Sequence, residues 1–386
     1  VTVGSTELQA LFWISVLVIG WAYLGYPISL ALRARLRPAP PVRKASSTPS
    51  VSVVIVAHNE ESLLARKIRN CLEMDYPREC LEILVASDGS TDGTVRVAEG
   101  FAPEGVRVFA LPGPRGKAVA LGTVVPQAGG EVLLLCDARQ ELERQALGEL
   151  VANLADPTVG AVSGELHIRS GATSAAQGVG AYWRFEKGVR RLESAVGSTV
   201  GATGAIYAVR RHLVPTLDPR TILDDVAIPM HVAQQGFRVV FEPAARAWDE
   251  PVEEAEREFR RKVRTLAGNY QLAVLNPSLL LPWRNPLFFS FISHKLARLL
   301  VPWCLLAILA SSLALALRGS GFFTLLLVLQ AAFYGLAAIG WLKRSARRRP
   351  RLLSIPYALV LLNLAAAAAL PDFLFGRQTA AWRATS

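Results

Sequence analysis

Carboxylates stand at three points of this sequence where a turn or a helix start would present them: Asp88 in SDGSTDGT, Asp137 in LLLCDARQ, and the adjacent pair Asp224 and Asp225 in TILDDVAIPMHV. An aspartate at a strand end is what a hard cation bound to phosphate requires, because such ions take oxygen ligands. An aspartate beside a hydroxyl can accept its proton. Arg260, Arg261, Lys262 and Arg264 form a dense cation cluster. On a helix Arg260 and Arg264 share one face, and Arg261 and Arg264 lie three apart. Cations of this kind neutralise a phosphate leaving group. Each signal also has a plainer reading. Asp88-Gly89 can be a simple turn, and Asp137 a helix cap. Asp224 and Asp225 can be helix-start charges favoured by the dipole, or one can cap while the other acts as base. The cation cluster can face acidic lipid headgroups.

The elements that must hold these residues follow from the hydrophobic pattern. Val51–Ala57 (VSVVIVA) is an unbroken β-branched run, as expected for a strand buried on both faces. Residues 82–87, 106–111 and 131–136 read as further strands, and 60–72, 116–128 and a segment from Asp92 as helices. Strand and helix alternate, which predicts an α/β domain with an open parallel sheet of the doubly wound type. Ligands bind beyond the carboxyl ends of such strands, where Asn59, Glu60, Asp88 and Asp137 cluster.

The chain has 386 residues, is 52% hydrophobic and has a mean hydropathy of +0.31. The apolar excess lies at the two ends. Residues 11–32, 299–317, 319–342 and 352–371 carry no charge and are long enough to span a bilayer. The first has no basic residue before it and is too long for a cleaved leader, so it reads as a membrane helix. The net charge of +11 has a simple home. Arg33, Arg35, Arg37, Arg43 and Lys44 follow the first segment, and Lys343, Arg344, Arg347, Arg348, Arg349 and Arg351 lie between the third and fourth. The positive-inside rule makes both loops cytoplasmic, with 33–298 on that side. Basic runs beside membrane segments point to lipid and away from nucleic acid. The cysteines (Cys71, Cys80, Cys136, Cys304) lack paired metal spacing and read as packing residues on a reduced face. The Pro/Ser-rich stretch 38–50 is a linker. The expected organisation is an N-terminal membrane helix (1–32), a linker (33–50), a catalytic domain (51–282), an amphipathic helix at the membrane surface (283–298) and about three C-terminal membrane helices (299–386).

In this order the motifs resemble membrane-integrated members of glycosyltransferase family 2, the cellulose, hyaluronan and chitin-oligosaccharide synthase type. VSVVIVAHNEE is similar to that family's opening strand and Asn-Glu turn. DGSTDGT matches its nucleotide-binding aspartate motif, and RGKAVAL looks like its Gly-Lys segment near the diphosphate. CDARQ stands at its Asp-x-Asp, and GATGAIYAVRR at the segment before the base. LDDV stands at its Thr-Glu-Asp, RRKVRT at its Gln-x-x-Arg-Trp, and SHKLARLLVP at its interfacial helix. The resemblance implies a GT-A type, Rossmann-like cytosolic domain with flanking transmembrane helices. It implies a multi-pass protein of the cell membrane, of bacterial inner membrane type, with the catalytic domain in the cytoplasm. It assigns Ala57, Glu60 and Asp88 to the uracil and ribose of a UDP-sugar and Lys117 to the diphosphate. It assigns Asp137 to the sugar or to a Mg²⁺ or Mn²⁺ ion, and Asp225 to deprotonation of the acceptor hydroxyl, with inversion. Arg261 and Arg264 would stabilise departing UDP. The implied acceptor is a growing glycan, with a membrane lipid or a non-catalytic nucleotide-binding scaffold as alternatives. Three positions depart from the pattern: Arg139, Arg261 and Thr265 stand where the family carries Asp, Gln and Trp. Aromatics around Tyr182, Trp183 and Phe185, and the segment 191–194, line an acceptor path or pack in the core.

Overall fold

The computed structural model describes residues 4–169, 174–250, 255–343, 350–378 and 380. Arg344, Arg347, Arg348 and Arg349 of the second basic loop, and the side chains of Tyr182 and Arg351, lie outside the described residues.

The first strand sets the frame. β1 (Val51–Ala57) is buried at every position. Its side chains alternate between two cores, as the twofold strand period requires. Val51, Val53 and Ile55 pack with Leu64 and Ile68 of α2 (Glu61–Leu72) and with Leu147 and Leu150 of α5 (Ala146–Leu154). Val54 and Val56 pack with Leu121 and Val124 of α4 (Lys117–Val124) and with Ile228 and Val232 of α7 (Asp224–Gln234). Helices therefore cover both faces. A short α3 (Thr94–Glu99) lies on the first of them, with Ala98 in the same core.

The sheet continues with β2 (Leu81–Ser87), β3 (Val106–Ala110), β4 (Val132–Asp137), β5 (Glu141–Leu142), β6 (Val159–Ile168), β7 (Tyr207–Arg210) and β8 (Arg238–Asp249). Its order is β3-β2-β1-β4-β7-β6-β8-β5. The expected parallel sheet is found only in its first half, where β1 pairs with β2 and β4 in parallel. Beyond β4 the sheet is mixed, because β7 runs antiparallel to both β4 and β6. The four-residue YAVR run is too short to announce itself as a strand. The chain passes from β1 outward to β2 and β3, then returns across β1 to β4. That reversal opens a crevice at the carboxyl ends of β1 and β4, where Val56 is in register with Asp137.

Four helices are long and apolar enough to cross a membrane: α1 (Ser5–Leu36), α9 (Phe288–Leu317), α10 (Gly321–Leu342) and the stretch Leu352–Leu374 of α11 (Arg351–Leu374). They match the four uncharged segments of the sequence. Leu17, Leu24, Leu306 and Val328 stand exposed on them, as side chains facing hydrocarbon should. Within the stretch 283–298, residues 288–298 form the start of a longer helix. The chain runs unbroken from Phe288 to Leu317, with a π-helical turn at Ile292–Leu296. The charges of that stretch, His294, Lys295 and Arg298, face the acidic partners Glu186 and Glu193.

Two further helices join the sheet domain to the apolar ones. α6 (Ser174–Ala195) meets α1, where the Tyr26 hydroxyl donates to Glu193 at 2.7 Å. α8 (Ala255–Leu275) packs along α11, with Val263 and Ala267 against Ala365 and Ala369. Trp21 Nε1 donates to Ser293 Oγ at 3.1 Å, tying α1 to α9.

Candidate active site

Asp88 follows β2 and is fully buried. Its carboxylate accepts the Arg115 and Gly116 amides at 2.8 and 2.7 Å. Its own amide donates to the Ala57 carbonyl at 2.8 Å. Gly89 adopts φ +62°, and a Cβ there would fall 2.1 Å from the Gly113 carbonyl carbon, so no other residue fits. Asp88 thus clamps the loop that leads into α4. Glu60 stands at the start of α2, half-buried, and its amide donates to Thr94 Oγ1 at 2.8 Å. Ala57, Glu60 and Asp88 therefore share the carboxyl end of β1 and β2, at the rim of the crevice.

Lys117 opens α4 directly after Gly116, whose φ is +98°. Its ammonium lies 2.8 Å from Asp137 Oδ1 and 3.2 Å from Asp224 Oδ2. Burial works against this charge, but Asp137, Asp224 and Asp225 outweigh it and raise the lysine's pKa. Asp137 ends β4 and remains 42% exposed, open to a ligand. Asp224 and Asp225 open α7, yet neither side chain caps that helix. Asp225 Oδ2 instead accepts the Gly204 amide at 3.2 Å. Burial, followed by the neighbouring Asp224, pushes the Asp225 carboxyl up to about 6, against the pull of Lys117, Arg190 and Lys295. A carboxylate in that range is matched to taking a proton near neutral pH.

Gly204 is the floor of this arrangement. A Cβ on it would sit 3.5 Å from Asp137 Oδ2, 3.6 Å from Asp225 Oδ2 and 3.8 Å from Lys117 Nζ. The lack of a side chain leaves space where three charged groups converge. Tyr207 lies in the same neighbourhood, its hydroxyl buried without a hydrogen-bond partner among the described residues. Burial, then Asp224, Asp225 and Asp137, drive its pKa well up, so it stays a neutral donor. Sequence reasoning gave neither residue a role. Only the GATGAIY segment as a whole pointed toward them.

The cation cluster of α8 divides. Arg260 is exposed and pairs with Glu256 at 3.6 Å. Arg261 pairs with Glu258 at 2.8 Å. Lys262 is held over the Trp183 ring at 5.0 Å, and burial lowers its pKa to about 8. Arg264 feels the charge of Asp224, and it donates to the Ala380 carbonyl at 3.2 Å. Ala380 in turn covers Gly116, where a Cβ would fall 2.7 Å from its carbonyl group. Arg139 donates to Asp249 at 2.8 Å, so its guanidinium is committed within the sheet domain.

Among the described residues no three His, Cys, Asp or Glu side chains form a metal cage. Asp137 by itself suits a different arrangement. Mg²⁺ is commonly held by one or two carboxylates together with substrate phosphates and water, and the accessible Asp137 carboxylate at the crevice fits that share.

Comparison with known proteins agrees with this geometry. Residues 52–214 match the family described as Glycosyl transferase family 2. A probable glycosyltransferase, YdaM of Bacillus subtilis (strain 168), is 27% identical over 236 residues, covering 57% of this chain and 55% of the relative. A poly-beta-1,6-N-acetyl-D-glucosamine synthase of Staphylococcus aureus (strain COL) is 23% identical over 232 residues, covering 58% and 55%. The chain thus spans about half the length of the curated relatives it matches. Among solved structures, a mannosyltransferase from Pyrobaculum calidifontis in complex with GDP-Man and Mn²⁺ superposes with a TM-score of 0.71. It is 24% identical, and the match covers 95% of this chain and 100% of that one. At that identity the likeness speaks to fold, which is GT-A with apolar helices beside it.

Proposed function

Proceeding from a family 2 glycosyltransferase domain, we propose that this chain moves a hexosyl group from a UDP-sugar to a hydroxyl of a glycan growing at the membrane, with inversion at the anomeric carbon. The observation that carries the reading is the Lys117 ammonium set between Asp137 and the Asp224-Asp225 pair. The nucleotide lies against Ala57, Glu60 and the Asp88 clamp. The diphosphate lies at the start of α4, near Lys117 and Arg264. Asp137 would hold a Mg²⁺ or Mn²⁺ ion, which when bound adds positive charge at the leaving diphosphate. The sugar occupies the space over Gly204. Asp225 takes the proton of the acceptor hydroxyl as that oxygen bonds to the anomeric carbon. The bond from that carbon to the β-phosphate oxygen breaks, and its electron pair leaves with UDP. Burial and Asp224 keep Asp225 basic enough to take the proton. The two basic loops of the sequence favour a cytoplasmic catalytic domain.

The test is nucleotide release by the purified chain with UDP-GlcNAc, UDP-Glc, UDP-Gal, UDP-GlcA and GDP-mannose. Release from one UDP-sugar, lost in Asp225→Asn, is expected. Release from GDP-mannose alone overturns the choice of nucleotide, and release from none overturns the transfer. A ladder of products supports synthesis of a polymer. A single added sugar supports the second reading, transfer to a lipid-borne acceptor, which Thr265 in place of the family's Trp favours.

A further inference from the structure

The crevice lies at the carboxyl end of β4, and a second concavity lies at its amino end. A cleft of about 550 Å³ opens there, where Val132 at the start of β4 is in register with Arg210 of β7. Pro49, Val151 and Leu154 give it apolar walls. Ser47, Thr48, Glu131, Arg210, Arg211 and His212 are the polar groups around them. Small-molecule sites have this volume and this mixture of apolar wall and few placed polar groups. Tyr207, beside the proposed active site, is the other end of β7, roughly 10 Å away along the strand. The cleft is therefore separate from the crevice.

Its cations are oriented without being neutralised. Arg210 Nε donates to the Val159 carbonyl at 2.8 Å, and its Nη2 to the Leu154 and Asp156 carbonyls at 2.6 and 3.2 Å. Arg211 Nε donates to the Gly130 carbonyl at 2.7 Å. Carbonyl groups fix a guanidinium but carry no net charge to cancel it. Among the described residues neither arginine has a carboxylate within ion-pair distance. Arg210 Nη1 and both Arg211 Nη groups make no hydrogen bond there, and Arg211 is exposed.

The linker side of the cleft is fixed as well. The Ala45 amide donates to the Ala152 carbonyl at 3.2 Å, and the Val132 amide to the Ser50 carbonyl at 3.1 Å. The Tyr76 hydroxyl donates to the Pro49 carbonyl at 2.6 Å. These bonds pin the chain on both sides of Ser47 and Thr48, which stand exposed at the rim. Their hydroxyls make no hydrogen bond among the described residues. Phosphate oxygens accept from guanidinium and hydroxyl donors alike. An ionised carboxylate such as Glu131 only accepts, so it suits hydroxyl or amino donors elsewhere on the same ligand.

We infer that this cleft binds a phosphomonoester on a small hydroxyl-bearing body, a sugar phosphate or a nucleoside monophosphate. Arg210 and Arg211 hold the phosphate, Ser47 and Thr48 donate to its remaining oxygens, and Glu131 accepts from the body. Such a ligand ties the linker that follows α1 to the end of β7, the strand whose first residue reaches the active site.

The test uses the full chain in phosphatidylcholine nanodiscs, with binding read by calorimetry. Glucose-6-phosphate, AMP, inorganic phosphate, glucose and adenosine are titrated separately. One of the two organic phosphates is expected to bind, and its phosphate-free counterpart about tenfold or more weakly than it. Arg211→Gln should weaken the organic phosphate about tenfold or more, and Arg211→Lys less. Glu131→Ala should weaken it too, while leaving inorganic phosphate no weaker. Melting curves like the parent's report that the variants are folded, and their UDP affinity should stay within about twofold. Tighter glucose-6-phosphate assigns a sugar phosphate, and tighter AMP a nucleotide. Equal binding of the phosphate-free compound, unchanged binding by folded Arg211→Gln, or no binding of any phosphate overturns the site. Inorganic phosphate binding as tightly as the organic ones overturns recognition of the body. A parallel fall in UDP affinity overturns the separation from the crevice.

Discussion

Lys117 Nζ lies 2.8 Å from Asp137 Oδ1 and 3.2 Å from Asp224 Oδ2, so one ammonium joins the end of β4 to the start of α7. Two elements far apart in sequence meet through it at the crevice. Lys117→Met removes this charge and leaves Asp224, buried at 5% exposure, facing Asp225. We expect turnover to fall about 100-fold, as for loss of one preorganised donor. The measurement is initial-rate nucleotide release, paired with a melting curve. Turnover within twofold of the parent would remove Lys117 from the site.

Asp225 fixes the expected pH dependence. A base must be unprotonated to act, so the rate falls as pH drops through the value near which burial and Asp224 place it, about 6. Asp224→Asn removes the negative neighbour, lowers the pKa of Asp225 and moves the acid limb of kcat/KM to lower pH. Asp225→Asn removes the limb together with about 10²- to 10⁴-fold of the rate, and UDP affinity should stay close to the parent's. A limb unmoved by Asp224→Asn would assign it to another group.

Chelation offers an independent check on Asp137. EDTA should stop transfer, and Mg²⁺ or Mn²⁺ should restore it. Asp137→Asn should then need more metal for half-maximal rate, because the carboxylate proposed as its ligand is lost. Full turnover in EDTA would place phosphate neutralisation on Lys117 and Arg264 alone.

The space over Gly204 can be filled by design. A Cβ there meets its neighbours at 3.5 to 3.8 Å, ordinary contact distance, so Gly204→Ala should fold normally. Gly204→Leu projects farther into the position proposed for the sugar. We expect it to lose most turnover while keeping UDP affinity, read by calorimetry. Wild-type rates in Gly204→Leu would put the sugar elsewhere.

What the sequence disclosed follows physical locality. The β-branched run at Val51–Ala57 and the polar residues at strand ends are adjacent in the chain, so the first half of the sheet and the positions of Asp88 and Asp137 at strand ends could be read directly. The four uncharged segments were legible for the same reason. Long-range encounters left no such mark. Gly204 becomes a floor only because β7 inserts antiparallel between β4 and β6. Arg190 and Lys295 become neighbours only because α6 and α9 meet. His294, Lys295 and Arg298 suggested a surface helix by composition. The pattern of charges along one segment cannot reveal that Glu186 and Glu193, on another, are waiting for them. The RRKVRT cluster reads as one site, but its members diverge once Glu256, Glu258, Trp183 and Ala380 draw them apart.

The bridge from His294 to Glu186 and Glu193 also decides how the protein can be cut. A fragment holding only residues 51–282 would keep both acids and lose His294, Arg298 and Tyr26, their partners. It would also bare the apolar side of α6, where Val189 packs with Tyr26 and Leu30 of α1, and exposed apolar surface of that kind favours aggregation. The catalytic head is therefore expected to be an unstable soluble fragment, and enzymology on it belongs with the helices attached.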